Sequence, residues 1–131
     1  MDLCRTALRC MMGVINQKDF IKKYGALQVI FEEGELGTKM YIVQKGTINI
    51  SKENNGESVH LATLAQGEIF GEMALLENMP RSATATAGKN GATILEIDSS
   101  LLVYLISQQP VFALVILKSM SQRLRNQSKN N

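Results

Sequence analysis

Thr47-Ile48-Asn49-Ile50-Ser51-Lys52-Glu53-Asn54-Asn55-Gly56-Glu57-Ser58-Val59-His60-Leu61-Ala62-Thr63 carries the architecture of this chain in one line. Ile48 and Ile50 alternate with Thr47, Asn49 and Ser51, as residues do on a strand with one face buried. Asn54-Asn55-Gly56 supplies the positive φ angles that a tight hairpin turn needs. Val59, Leu61 and Thr63 then resume the alternation, so the stretch is an antiparallel hairpin. Upstream, Met40-Tyr41-Ile42-Val43 reads as a separate strand closed by a tight turn at Lys45-Gly46. Val29-Ile30-Phe31 is a shorter strand, followed by the turn-rich Glu32-Glu33-Gly34-Glu35-Leu36-Gly37. Downstream, Ser82-Ala83-Thr84-Ala85-Thr86-Ala87 sets Ser82, Thr84 and Thr86 against three alanines. Asn90-Gly91 reads as a second hairpin turn, with Ala92–Ile97 returning. Short strands punctuated by turns at this interval imply a sandwich or barrel.

Both ends of the chain change period. Leu3, Ala7, Leu8, Met11 and Met12, then Phe20, Ile21 and Tyr24, recur at helical spacing, which predicts one or two short helices over residues 2–23. Asp98-Ser99-Ser100 is a good N-cap cluster before Leu101–Ile106, and Pro110 suits the first turn of a further helix to about Gln127. Val111–Leu117 is apolar all round and must bury more than one face. The expected fold is mainly β with flanking helices. It comprises an N-terminal helical segment (1–23), an antiparallel, jelly-roll-like β-roll (24–98) and two C-terminal helices (99–128), all one domain.

Composition narrows the chemistry. The 131 residues are 45% hydrophobic and 20% charged, which rules out intrinsic disorder and leaves room for one domain. The chain has one histidine, His60, and two cysteines, Cys4 and Cys10. A metal centre wants three or four clustered ligands, and a Ser-His-Asp triad would have to recruit His60, so neither a metal site nor an enzyme is expected. The cysteines read as reduced thiols of a cytoplasmic protein, with no secretory signal and no membrane span. The net charge of +2 conceals basic ends. Arg5, Arg9, Lys18, Lys22 and Lys23 face only Asp2 and Asp19, and residues 111–131 hold Lys118, Arg123, Arg125 and Lys129 with no acid. Residues 24–110 carry five basic residues against ten acidic ones. Solvated helix faces account for the basic ends better than nucleic acid or lipid does.

Gly71-Glu72-Met73-Ala74-Leu75-Leu76-Glu77-Asn78-Met79-Pro80-Arg81-Ser82-Ala83-Thr84 is the segment that carries chemistry. A glycine enters a short helical turn whose free N–H groups can receive an anion. Arg81 is the only basic residue between Lys52 and Lys89, and its guanidinium can hold two phosphate oxygens at once. Glu72 can accept from a hydroxyl pair such as a ribose edge. An Arg81–Glu72 salt bridge that merely steadies the loop fits the residues equally well.

Phe70-Gly71-Glu72-Met73-Ala74-Leu75 followed by Pro80-Arg81-Ser82-Ala83-Thr84 resembles the phosphate-binding cassette of the cyclic nucleotide-binding domain superfamily, spanning residues 70–84 here. Ile30–Gly37, Met40–Val43 and Gly46 resemble that superfamily's opening strands and glycine turns, and Asp98 onward its two C-terminal helices. The likeness covers about residues 20–128. It implies that Glu72 accepts from the ribose 2′-hydroxyl and that Arg81 pairs with the cyclic phosphate. Backbone N–H groups of Gly71, Met73, Ala74 and Ala83 would cradle phosphate and sugar oxygens. Ser82 stands where cyclic GMP-preferring members usually carry Thr, which leans toward cyclic AMP with cyclic GMP as the second ligand. Leu61, with Val29 or Ile48, would offer apolar surface to the purine. The last helix resembles the lid helix of the bacterial catabolite activator, which makes Arg123, Gln127 and Ser128 candidate lid contacts.

No helix-turn-helix follows that helix, so direct DNA binding is not expected. The resemblance implies a free-standing sensor, or a regulatory fragment whose effector protein lies on another chain, signalling through movement of the C-terminal helix. Self-association through residues 110–127 would cover that helix's second apolar face. The competing reading is a protein–protein interaction module that keeps the fold without nucleotide affinity. Cyclic di-GMP would call for further arginines near the cassette.

Overall fold

The computed structural model describes residues 20–130, with side chains described through Arg125. Six strands form one antiparallel sheet that curls into a roll: β1 (Ile21–Tyr24), β2 (Val29–Phe31), β3 (Met40–Asn54), β4 (Glu57–Leu64), β5 (Ile69–Phe70) and β6 (Thr84–Ile97). The path runs β1-β6-β3-β4, with β2 added to β6 and β5 added to β3. A short helix, α1 (Glu72–Glu77), interrupts the strands, and α2 (Ser99–Gln108) and α3 (Val111–Asn130) follow them.

Alternation along the central strands builds two cores. Met40 and Ile42 of β3, Ile69 of β5, and Leu95 and Ile97 of β6 face outward onto Leu101, Leu102 and Leu105 of α2 and Phe112, Val115 and Ile116 of α3. Tyr41 and Val43, Phe70 and Ile94 point the opposite way, into the roll, where they meet Phe31, Ile48, Ala85, Ala87 and Ala92. Strands buried on both faces explain why 40–43 and 94–97 read as near-continuous apolar runs. Ala85 and Ala87 line the roll's interior, on the face opposite Thr84 and Thr86 as their alternation predicts.

The β3–β4 hairpin forms as expected. Asn55 and Gly56 take φ of 55° and 83°, and Asn54 pairs with Glu57 across the two-residue loop. The other two expected turns do not reverse the chain. Lys45-Gly46 lies within β3, and Asn90-Gly91 within β6, at register shifts where the two strands bulge against each other. Gly46 (φ 80°) packs so closely on the Gly91 carbonyl that a Cβ would collide with it. The helical expectation also fails at its C-terminal edge, because Ile21–Tyr24 is a strand paired with Ala92–Leu95. The roll therefore begins at Ile21 and not at Tyr24. The helices expected at 2–19, with Cys4 and Cys10, lie outside the described residues.

Asp98 caps α2 as predicted, its side chain accepting from the Leu101 N–H at 2.8 Å. Only one face of α3 is buried, leaving Leu114, Leu117 and Leu124 55%, 62% and 66% exposed. No single helix among the described residues is long and apolar enough to cross a membrane.

Candidate functional site

The segment 70–84 leaves the sheet at β5 and returns to it at β6. Gly71, at φ 76°, turns the chain from β5 into α1, and Asn78, also left-handed at φ 55°, ends that helix. Glu72 is the first helical residue, and at 1% exposure it is buried. Its Oε1 forms an ion pair with Arg123 of α3, whose other amino group donates to the Ile69 carbonyl at 2.9 Å. Its Oε2 has no hydrogen-bond partner. Burial lowers the Arg123 pKa, with the nearby Glu68 carboxylate acting in the opposite sense. The salt bridge expected from spacing, Arg81 with Glu72, is not the one formed.

Arg81 is 6% exposed. Its Nη1 donates to the Gly71 carbonyl at 2.9 Å, and its guanidinium carbon stands 4.2 Å from the centroid of the Phe31 ring and 5.5 Å from that of Tyr41. Its backbone is tied to the β2–β3 connection. The Arg81 N–H donates to the Glu35 carbonyl (2.9 Å), and the Gly34 N–H donates to the Arg81 carbonyl (2.7 Å). The Nε–H is buried without a partner. Glu72 and Arg81 are thus the two buried charged residues among the described ones, and each keeps one polar atom unsatisfied.

The remaining expected residues divide. Ala74 and Ala83 are buried beside these charges, whereas Met73 and Ser82 are exposed. Leu61 is exposed on β4 and Val29 on β2, but Ile48 is fully enclosed in the roll and offers no surface to a ligand. Side chains of Gln127 and Ser128 lie outside the described residues. A cleft of about 410 Å³ opens between the β4–β5 segment and α3, lined by Ala62, Thr63, Leu64, Gln122, Arg123 and neighbouring residues. Arg123 links this cleft to Glu72. Arg123, expected as a lid contact, belongs to a polar wall on α3, whose other members Lys118, Ser119 and Gln122 the sequence reading did not single out although their i, i+3 and i+4 spacing was legible. No cluster of three or more His, Cys, Asp or Glu side chains suited to a metal occurs among the described residues.

Residues 21–109 match the family model described as "Cyclic nucleotide-binding domain", and the chain belongs to that family. It is 48% identical over 58 residues to the cAMP-dependent protein kinase regulatory subunit of Yarrowia lipolytica, covering 44% of this chain and 15% of the relative. It is 35% identical over 79 residues to the cGMP-dependent protein kinase of Toxoplasma gondii, covering 60% of this chain and 8% of the relative. The fold is similar to the catabolite activator protein of Thermus thermophilus, with a TM-score of 0.80 at 27% identity, over 95% of this chain and 57% of that one. The chain therefore spans only 15% and 8% of the length of these two kinase relatives.

Proposed function

We propose that the chain binds a cyclic nucleotide, cyclic AMP in preference to cyclic GMP, as a non-enzymatic regulatory sensor. The observation that carries this reading is the pair of opposite buried charges at the two ends of the cassette, each with one free polar atom: Glu72 Oε2 and Arg81 Nε. A ribose hydroxyl donates to a carboxylate, and a cyclic phosphate accepts from a guanidinium, so one ligand satisfies both. Backbone N–H groups of Gly71, Met73, Ala74 and Ala83 complete the cradle, with Leu61 and Arg123 of α3 on the purine side. Family membership supports the ligand class, and Ser82 supports the lean toward cyclic AMP.

Signalling in this reading passes through α3. Arg123 already holds Glu72 from that helix, so a ligand that draws on the same carboxylate acts on the position of α3. It shifts that helix only by its differential affinity for the two positions. The receiver in this reading is an effector protein, in a cytoplasmic setting. The exposed Leu114, Leu117 and Leu124 fit a second copy of α3, since Leu117 and Leu124 are one heptad apart.

Calorimetric titration of cyclic AMP and cyclic GMP into the protein, beside Arg81→Ala, tests the reading. Loss of a charge-assisted phosphate contact in a buried site costs about 2–5 kcal/mol, or roughly 30- to 5,000-fold in affinity. Tight binding that collapses in Arg81→Ala is the expected result. No binding of either nucleotide to protein freed of co-purified ligand would leave the interaction-module reading in its place.

A further inference from the structure

We propose that Gly37, Phe31 and Tyr41 form a slot that fixes the Arg81 guanidinium, and that all three are positioning residues for its anion contact; the second part rests on the functional reading above. Phe31 of β2, Tyr41 of β3 and Phe70 of β5 form a cluster of rings with centroids 5.1 to 6.0 Å apart. The Arg81 guanidinium lies against the first two, an attraction that strengthens where water is excluded. Gly37 bounds the slot from the β2–β3 connection. A Cβ on Gly37 would fall 2.7 Å from both the guanidinium carbon and Nε of Arg81, nearer than such atoms can approach. Gly37 is not among the residues of positive φ, so its backbone conformation does not call for glycine. The neighbouring guanidinium does.

Gly71 limits the group in the same way, because a Cβ there would lie 2.7 Å from Nη1. With Nη1 bonded to the Gly71 carbonyl and the backbone of Arg81 tied to Gly34 and Glu35, the side chain has little freedom left. Its buried Nε–H, without a partner, remains for an acceptor. Immobilising a long side chain before the ligand arrives removes an ordering cost from binding. The same reasoning explains why elements 40 or more residues from Arg81 in sequence bear on an anion they do not touch.

Gly37→Ala tests this directly, since its backbone accepts alanine but its Cβ displaces the guanidinium. The first readout is the ¹⁵N–¹H resonance of the Arg81 Nε–H in ligand-free protein, assigned by its loss in Arg81→Ala and shifted by the adjacent rings. The second is cyclic AMP affinity by calorimetry, in the native and the Arg81→Ala backgrounds. Gly37→Ala should move the resonance and weaken binding at least tenfold, with no further weakening once Arg81 is gone. Gly25→Ala, whose Cβ meets Gln28 Oε1 at an ordinary 3.9 Å, should change neither. Should Gly37→Ala fail to fold, Phe31→Leu removes the ring and is read in the same way. An unmoved resonance, an unchanged affinity, or a loss that persists in the Arg81→Ala background overturns the proposal. A native protein that binds no cyclic nucleotide refutes the functional reading instead, and the resonance still decides whether the slot exists.

Discussion

Breaking the Glu72–Arg123 pair should lower stability by about 2 kcal/mol, a magnitude set by how unequally the partners are buried. Arg123→Ala leaves Glu72, 1% exposed, with neither carboxylate oxygen partnered, and frees the Ile69 carbonyl as well. Removing one member of a fully buried pair costs about 3–5 kcal/mol, mostly through the charge left behind. Here the Arg123 side chain is 42% exposed, so water follows it to the carboxylate and the penalty is smaller. For a chain of 131 residues, an unfolding entropy of about 2.1 cal/mol/K per residue converts 2 kcal/mol into roughly 7 °C of thermal midpoint. The assay is calorimetric melting of the native protein, Arg123→Ala, Glu72→Gln and the double variant, without nucleotide. Glu72→Gln removes the stranded charge, so adding Arg123→Ala to it should cost less than about 0.5 kcal/mol, a clear non-additivity. Additive single effects would refute the reasoning. They would mean that Arg123 does not hold Glu72 in solution and that α3 does not bear on the cassette before ligand arrives.

Two further outcomes follow from α3 and the sheet edge. Leu117→Glu with Leu124→Glu, both at positions more than 60% exposed, should convert a dimer to a monomer in sedimentation velocity without changing the melting profile of the monomer; a native protein that sediments as a monomer would remove the α3 pairing. Lys39 donates to Glu96 at 2.6 Å, and this hydrogen bond, with the Glu96 charge, raises its pKa above the ordinary value. A lysine whose folded pKa exceeds its unfolded one stabilises the fold fully below the unfolded value, about pH 10.4, and loses that contribution as pH rises through the higher folded value. The midpoint difference between native protein and Lys39→Met should therefore be constant from neutral pH to about pH 10 and shrink above it; a difference independent of pH up to the folded pKa and beyond would contradict the pairing.

What the sequence made legible was local. Asn55-Gly56 announces a hairpin because its φ angles are needed by the turn itself, whatever surrounds it. Gly46 and Gly91 send the same local signal, with φ of 80° and 78°, but there the need arises from two strands meeting. Only the partner strand distinguishes such a bulge from a reversal. Ile21–Tyr24 carries a helical spacing that pairing with β6 overrides. At the site, Glu72 and Arg81 stand in a contiguous motif and were readable. Arg123 was readable as a lid residue but its partner was not, because the choice between Arg81 and Arg123 as counter-ion for Glu72 depends on how α3 crosses the sheet. The slot around Arg81 draws on residues 31, 37 and 41, whose convergence is a property of the roll alone.

The alternation that builds two cores also explains why the charges of this cassette are coupled to different layers. Ile69 and Phe70 are adjacent in sequence yet belong to opposite cores, Ile69 to the helix-facing one and Phe70 to the roll. The cassette begins where they part. Glu72 takes its partner from α3, whereas Arg81 takes its supports from Phe31 and Tyr41 inside the roll. A ligand that engages both charges therefore joins a ring-lined seat to a helix whose ion pair with the cassette is made by one half-exposed arginine. Phe31, Tyr41 and Phe70 are buried on the roll side, which leaves it little room to adjust, so under the proposed function the response to such a ligand would fall on α3. Movement would be expected in α3, and the Glu72–Arg123 pair is the contact through which it would start.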